Sequence, residues 1–320
     1  MRLLNKKSVS IHIVTYNSEP YIEDCLQAVF RQNYPIDQIV VIDNASQDRT
    51  AEILEQYSER VHVVLNKVNT GFAPGHNQAL RMTTSDYFLV LNPDVLLHPD
   101  YVRCLIERME QRPDVGSATG KLLLKSSPGL LDSAGLVIHK NRRAFDRGMG
   151  QPEGEYADYA EVFGVSGAAA LYSRKMAVGI SVNGEFFDEQ FFAYKEDVDV
   201  AWRAQIYGWS AIYVPEASAL HERGWKTGSR QKQPLFVRRH SYINRYRMIL
   251  KNDSIKYILL HFPSFVWHEI LSAGYMILRE PELIKSWSVL LRQLSYIKQQ
   301  RRVIQQNRKK ELQKIYSFFQ

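Results

Sequence analysis

Along the first 115 positions, short runs of β-branched and aliphatic residues alternate with segments whose apolar residues recur every three or four places. Residues 9–15 read as a strand. The next segment, 19–31, carries Ile22, Leu26, Val29 and Phe30 on one helical face. The pair then repeats: strand 38–43 with helix 48–57, strand 61–65 with helix 74–82, strand 87–91 with helix 99–110, the last opening on a proline. Such alternation predicts a parallel sheet covered by helices on both faces. Its ligand crevice is expected at the carboxyl ends of the strands. From about 115 to 225 the strand signals weaken, at 116–124, 162–172 and 211–214, with a helix at 196–207. This stretch completes the same domain, expected to span residues 1–250.

The expected crevice edge is where polar sequence collects. The first strand ends in Thr15-Tyr16-Asn17, the second in Asp43-Asn44-Ala45-Ser46-Gln47-Asp48, the third in a loop containing Asn69, Gly71 and Gly75, and the fourth in Asn92-Pro93-Asp94. Helix capping accounts for Ser46 and Asp48. Asp43 precedes the turn and can accept hydrogen bonds from a ribose or a base. Glycines before a helix N-terminus allow a backbone to approach an anionic group such as a pyrophosphate. Asn92-Pro93-Asp94 is good turn chemistry, and also sets a carboxylate where a divalent cation bridging phosphates would use it. In Lys195-Glu196-Asp197-Val198-Asp199 three acids crowd a helix start after an aromatic run. They suit the helix dipole, and they also suit a general base of raised pKa. His221 is either a satisfied histidine or a ligand.

Composition narrows the class. The chain has 320 residues, 45% hydrophobic and 23% charged, enough apolar material for a sizeable core and no low-complexity tract. Two cysteines, Cys25 and Cys104, lie in helix-like segments and do not make a disulfide framework. No secretory signal is evident at the N-terminus, so a cytoplasmic location is expected. The net charge of +7 resides wholly beyond residue 250, where 12 Lys and Arg face 5 Asp and Glu. There, residues 255–294 mix aliphatic and aromatic side chains with few charges, and Arg301, Arg302, Arg308, Lys309, Lys310 and Lys314 follow. That pattern suits helices lying in the interface of an anionic membrane, or a helical dimer surface. Just before it, bases alternate with aromatics from Arg238 to Arg247, a pattern also compatible with nucleic-acid backbone.

Seven pieces in order then resemble the family 2 inverting glycosyltransferases of the GT-A fold, in particular a bacterial rhamnosyltransferase-like branch. They are Val14-Thr15-Tyr16-Asn17, Asp43-Asn44-Ala45-Ser46, Asn69-Thr70-Gly71-Phe72-Ala73, Asn92-Pro93-Asp94, residues 164–169, Glu196-Asp197-Val198-Asp199 with Arg203, and His221. The resemblance implies an α/β nucleotide-diphospho-sugar transferase domain with its nucleotide part at about 8–115 and its acceptor part at about 116–250. A helical, basic extension at 251–320 follows. Thr15, Tyr16, Asn17 and Asp43 would line the nucleotide, with Asn69, Gly71, Asn77 and Asn92 near the phosphates. Asp94 would hold Mg2+ or Mn2+, joined by His221. Asp197 would be the general base with Glu196 beside it. Gly167, Ala168, Trp202, Arg203 and Arg245 would meet sugar, acceptor or phosphate. Arg203 pairing with Asp199 at i, i+4, and Trp202 serving the core, remain open. The implied donor is a dTDP- or UDP-sugar, with dTDP-rhamnose foremost. The implied acceptor is a polyprenyl-diphosphate-linked or growing surface glycan at the inner face of the membrane, and nucleic acid is not a partner. Asn92 stands where many such enzymes carry a first metal-motif carboxylate. A silent glycan- or nucleotide-binding module and a sugar nucleotidyltransferase are the competing readings. The latter would want a basic Gly-rich loop where Thr15-Tyr16-Asn17 stands.

Overall fold

A computed structural model describes residues 6–223 and 233–320. The first half is built from β1 (Val9–Thr15), α1 (Ile22–Phe30), β2 (Gln38–Asp43), α2 (Thr50–Glu55), β3 (His62–Leu65), α3 (Phe72–Arg81), β4 (Tyr87–Leu91), β5 (Val95–Leu97) and α4 (Tyr101–Glu110). Strands β3, β2, β1 and β4 lie side by side in parallel, as the alternation predicts. Period-two placement sorts their side chains. Val9, Ile11 and Ile13 of β1 bury against α1 and α4, while Phe88 and Val90 of β4 point to the opposite layer with α3.

The second half departs from a purely parallel sheet. It adds β6 (Val115–Leu124), β7 (Leu131–Ser133), β8 (Leu136–Ile138), β9 (Ala144–Asp146), β10 (Ala160–Val162), β11 (Ala169–Ser173), α5 (Arg174–Ile180), α6 (Glu196–Ile206) and β12 (Ser210–His221). Strand β11 inserts antiparallel between β4 and β6, giving the order β10-β12-β6-β11-β4-β1-β2-β3 in a ten-stranded mixed sheet. β8 and β9 form a separate hairpin. The apolar run at 162–172 is two strands, because residues 163–168 leave the sheet and turn at the crevice. Helix α3 starts two residues before the proline that was expected to open it. Pro74 sits in the first turn, where a missing N–H costs nothing.

The C-terminal part is helical: α7 (Leu235–Asn252), α8 (Ile255–Leu260), α9 (Phe262–Arg279), α10 (Ser286–Arg292), α11 (Leu294–Gln306) and α12 (Leu312–Tyr316). Ile304, Ile315, Tyr316 and Phe319 join the apolar cluster that surrounds Trp202, and the backbone N–H of Gln320 donates to Ile138 O. The end of the chain thus packs into the sheet-bearing body. Helices α8 to α10 behave otherwise, leaving Leu259, Trp267, Ile270, Leu278 and Leu291 more than half exposed. No helix among the described residues is long and apolar enough to cross a membrane.

Candidate active site

Parallel register brings the strand ends together. Thr15 faces Asp43 across β1 and β2, and Ile13 faces Leu91 across β1 and β4, so Asn92 emerges one strand from Thr15. At this edge Asp43 is 2% exposed and its carboxylate takes three hydrogen bonds. It accepts from the Thr15 hydroxyl at 2.8 Å, the Ser46 hydroxyl at 2.5 Å and the Ser46 N–H at 3.0 Å. Ser46 is therefore a brace for Asp43 rather than a helix cap, and its oxygen also accepts from Asn17 N–H. Asp48 accepts from the N–H of Glu19 and of Thr50, tying the first loop to the start of α2. Asn17 adopts a left-handed φ of 52° and accepts from Gln47 N–H, leaving the Tyr16 ring half exposed on the rim.

Asn69 accepts from Gly71 N–H in an Asx turn. Gly71 has φ 97°, and a Cβ there would lie 2.6 Å from Phe192 O, so this glycine serves the closure of the chain on itself. Asn77 is buried. Its amide donates to Phe187 O and Glu189 and accepts from Phe187 N–H, clipping the 187–189 segment to α3. The expectation of a phosphate contact at Asn77 is corrected: it lies one helical turn past the α3 N-terminus, on the face turned into the protein.

A cavity of about 550 Å³ opens beside these loops, lined among others by Phe72, Asn92, Asp94, Gly167, Ala168, Lys195, Glu196, Asp197, His221 and Arg223. Asp197, half-buried, enters from the first turn of α6. Its carboxylate accepts from Gly167 N–H at 3.2 Å and from its own helix at Val198 N–H. A Cβ on Gly167 would sit 3.4 Å from the Phe72 ring and 3.6 Å from Asp197 Cβ, narrowing this wall. Burial pushes Glu196 up to about 8, with Asp197 adding to the rise, and burial raises Asp197 as well. Glu196 Oε2 is buried and has no hydrogen-bond partner among the described residues.

The approach to α6 is strained and locked. Phe192, Tyr194 and Lys195 all have left-handed φ, at 61°, 74° and 73°, each a conformation costing roughly 1–3 kcal/mol for a non-glycine residue. The side-chain amide of Asn244 on α7 offsets this, donating to Phe191 O, Ala193 O and Tyr194 O at 2.8–2.9 Å.

Across the cavity, His221 ends β12. Its Nδ1 lies 2.7 Å from Asp132 Oδ2 and its Nε2 3.3 Å from Asp94 Oδ1. Burial opposes a charge on His221, but the hydrogen bonds to Asp132 and Asp94 outweigh it and push the ring up to about 9. Arg223 spans Asp132 and Asp146, both at 2.6 Å.

Several expected contacts go elsewhere. Trp202 is fully buried, its ring centroid 5.3 Å from that of Phe319, and it lines neither large cavity. Arg203 pairs with Asp199 at 2.9 Å and donates to Ile180 O and Phe186 O, so the i, i+4 pairing holds and a phosphate contact does not. Arg245 pairs with Glu269 and lines a second cavity. The bases that alternate with aromatics from Arg238 to Arg247 fall on α7 and are largely spent on helix pairing, with Arg238 bound to Glu280 and Glu282, and Arg247 to Gln293. Asp132, Lys195, Arg223 and Asn244 are the additions. A lone carboxylate inside the apolar stretch 130–138 was the available signal for Asp132.

The Glycosyl transferase family 2 model matches residues 10–178, just over half of the chain and the whole of the strand-end loop set through Ala168. The chain belongs to glycosyl transferase family 2. Among related sequences, a candidate teichuronic acid biosynthesis glycosyltransferase of Bacillus subtilis, TuaG, is 34% identical over 130 residues, covering 40% of this chain and 52% of TuaG. The family-2 chain thus spans about half the length of that relative. Solved structures share the fold. Staphylococcus aureus TarS 1-349 in complex with UDP superimposes with a TM-score of 0.58 at 17% identity, over 88% of this chain and 78% of the other. GalNAc-T7 with UDP, GalNAc and Mn2+ gives 0.59 at 13%, over 78% and 48%. The family-2 fold here is GT-A-like, a mixed α/β sheet followed by a helical C-terminal region.

Proposed function

We propose that this protein transfers a sugar with inversion from a nucleoside diphosphate donor, dTDP-rhamnose or another dTDP- or UDP-sugar, to a hydroxyl of a lipid-linked or growing cell-surface polysaccharide. The observation that carries this reading is the half-buried Asp197 carboxylate in the wall of a cavity that also holds Asp94 and His221. In this reading Asp197 accepts the proton of the acceptor hydroxyl. The oxygen forms its bond to the anomeric carbon as the bond from that carbon to the diphosphate oxygen breaks, and the nucleoside diphosphate departs from the opposite face. Glu196, raised by the same burial, keeps a proton near neutral pH and so spares Asp197 a second full negative charge. Ser166, Gly167 and Ala168 leave room for the sugar. Asp43, held by Thr15 and Ser46, offers the nucleoside a rigid edge, with Tyr16 on the rim.

The residues present fit a divalent cation. Asp94 Oδ1 is buried with the His221 ring as its neighbour, Nε2 at 3.3 Å, and His221 Nε2, on giving up its proton to a bound cation, would add a nitrogen donor. No cluster of three or more His, Cys, Asp or Glu side chains suited to a metal occurs among the described residues, so the donor diphosphate would complete the coordination. Mg2+ or Mn2+ held by Asp94 and His221 would neutralise charge on the leaving diphosphate. The bases and apolar side chains of α8 to α10 support a position at the cytoplasmic face of a membrane, and a dimer is the competing use of that face. Thermal denaturation with dTDP, UDP and GDP, each with and without Mg2+ or Mn2+, tests the donor site. Metal-enhanced stabilisation by dTDP or UDP is expected; no shift with any nucleotide overturns the reading.

A further inference from the structure

Among the described residues, three basic side chains line the cavity that holds Asp197, and two of them are already committed. His221 lies between Asp132 and Asp94, and Arg223 between Asp132 and Asp146. The third, Lys195, has no carboxylate partner among the described residues. Its ammonium donates to Ala144 O on β9 at 3.2 Å and has two further protons to give.

Nothing local favours a lysine at this position. At φ 73° and ψ 2° Lys195 is the left-handed N-cap of α6, a conformation in which a residue without a Cβ would sit free of strain. An N-cap also prefers Asn, Asp, Ser or Thr, whose side chains accept from the first turn, and Lys195 makes no such cap bond. A cation there opposes the positive end of the helix dipole. Backbone strain of this kind concentrates where a side chain serves the site rather than the fold.

What the ammonium acts on is Asp197, two residues on in the same turn. Around that carboxylate stand Glu196 and Lys195 from α6, Asp146 from β9, and the buried, unbonded hydroxyl of Tyr172 from β11. His76 lies behind the Phe72 ring of α3, and Asp94, His221 and Arg223 line the opposite wall. Asp199, on the same helix, is neutralised by Lys251 and Arg203. Burial is the main force against a charge on Asp197, and Asp146 adds to it. Lys195 is the strongest opposing influence, ahead of the N–H groups of Gly167 and Val198.

We propose that Lys195 is a positioning residue whose ammonium, fixed to β9, keeps the Asp197 carboxylate ionised before an acceptor hydroxyl arrives. Its place in the reaction rests on Asp197 being the base, whereas its effect on the carboxylate does not. The acceptor proton passes to Asp197, and Lys195 neither gives nor takes one. Replacing the lysine by an uncharged side chain therefore moves transfer to higher pH instead of abolishing it.

The test is the titration of Asp197 itself. Carbon-13 NMR of the full chain labelled at the aspartate carboxyl carbons, with the Asp197 signal assigned by its loss in Asp197→Asn, is followed against pH in the wild type, Lys195→Met and Lys195→Arg. Lys195→Met should raise the midpoint by about one pH unit, the low end of what a nearby opposite charge supplies, and Lys195→Arg should restore it. The kcat/KM profile should move in step. Lys195→Met loses roughly tenfold on the acid side of its limb, as a one-unit shift requires, and recovers on the alkaline side, which loss of a structural clamp would not produce. An unmoved Asp197 midpoint overturns the proposal. Loss of affinity for UDP with Mn2+ at an unmoved midpoint makes Lys195 a donor contact and overturns it equally. A midpoint that moves while the kcat/KM limb stays upholds the action of Lys195 on the carboxylate and overturns Asp197 as the base.

Discussion

Asp132 holds His221 from a strand 89 residues away, its Oδ2 2.7 Å from the imidazole Nδ1. This bond leaves Nε2 facing Asp94, the arrangement in which a carboxylate behind a histidine orients it toward a cation. Asp132→Asn should weaken Mn2+-dependent UDP binding by roughly 10- to 100-fold, the usual cost of losing such support, while UDP binding without metal stays constant. Calorimetry with and without Mn2+ checks this; an unchanged metal dependence would remove His221 from the cation site.

Asp197→Asn keeps the shape of the cavity wall and removes the carboxylate proposed as the base. Transfer should fall by roughly 10²- to 10⁴-fold, with donor affinity retained. Radiolabelled-sugar transfer measured beside nucleotide binding separates the two.

The wild-type pH profile follows from the same burial. As the proposed base Asp197 acts deprotonated, and burial raises its pKa, so kcat/KM should rise with pH along a limb lying above the ordinary aspartate value of about 3.9. A limb at or below that value would contradict the assignment.

Lys251 bridges Asp188 at 2.5 Å and Asp199 at 3.0 Å, and Asp199 also binds Arg203 and Asn252, all of them buried. Lys251→Met removes the buried cation shared by two buried carboxylates and should cost about 3–5 kcal/mol. In the wild type, burial would raise Asp199, but Lys251 and Arg203 outweigh it and hold it below the usual carboxylate value. Its folded pKa is depressed, so its stabilisation is complete above the unfolded value and is lost as pH falls through the folded one. Urea unfolding at pH 7 and below pH 4 should show that loss in the wild type.

Asn244→Ala removes the side-chain amide that binds three carbonyls leading into α6, at Phe191, Ala193 and Tyr194. A stability loss of roughly 1–3 kcal/mol is expected from the stranded carbonyls. A larger fractional loss in transfer than in UDP binding should accompany it, because the segment that Asn244 holds leads directly into the α6 turn bearing Asp197.

The strand-end loops were legible because parallel register and alternation are local: Thr15, Asp43 and Asp94 stand where the β-then-α pattern predicts. The misplacements have a shared cause. Asn77, Trp202 and Arg203 each belong to a helix whose buried face is chosen by partners far along the chain, Phe187, Phe319 and Phe186, and no periodicity within 70–82 or 196–207 names those partners. Asp132 and Asn244 escaped for the same reason, since each acts through bonds to residues 50 or more positions away. The insertion of β11 between β4 and β6 likewise reflects a return of the chain that short apolar runs do not encode.

One amide on α7 fixes the carbonyls that lead into the helix bearing Asp197. The axial position of α7 and the pose of the carboxylate are therefore a single mechanical variable. Whatever shifts that helix will be felt at the Asp197 carboxylate, and by reciprocity whatever repositions that carboxylate will bias the position of α7 by the same free energy.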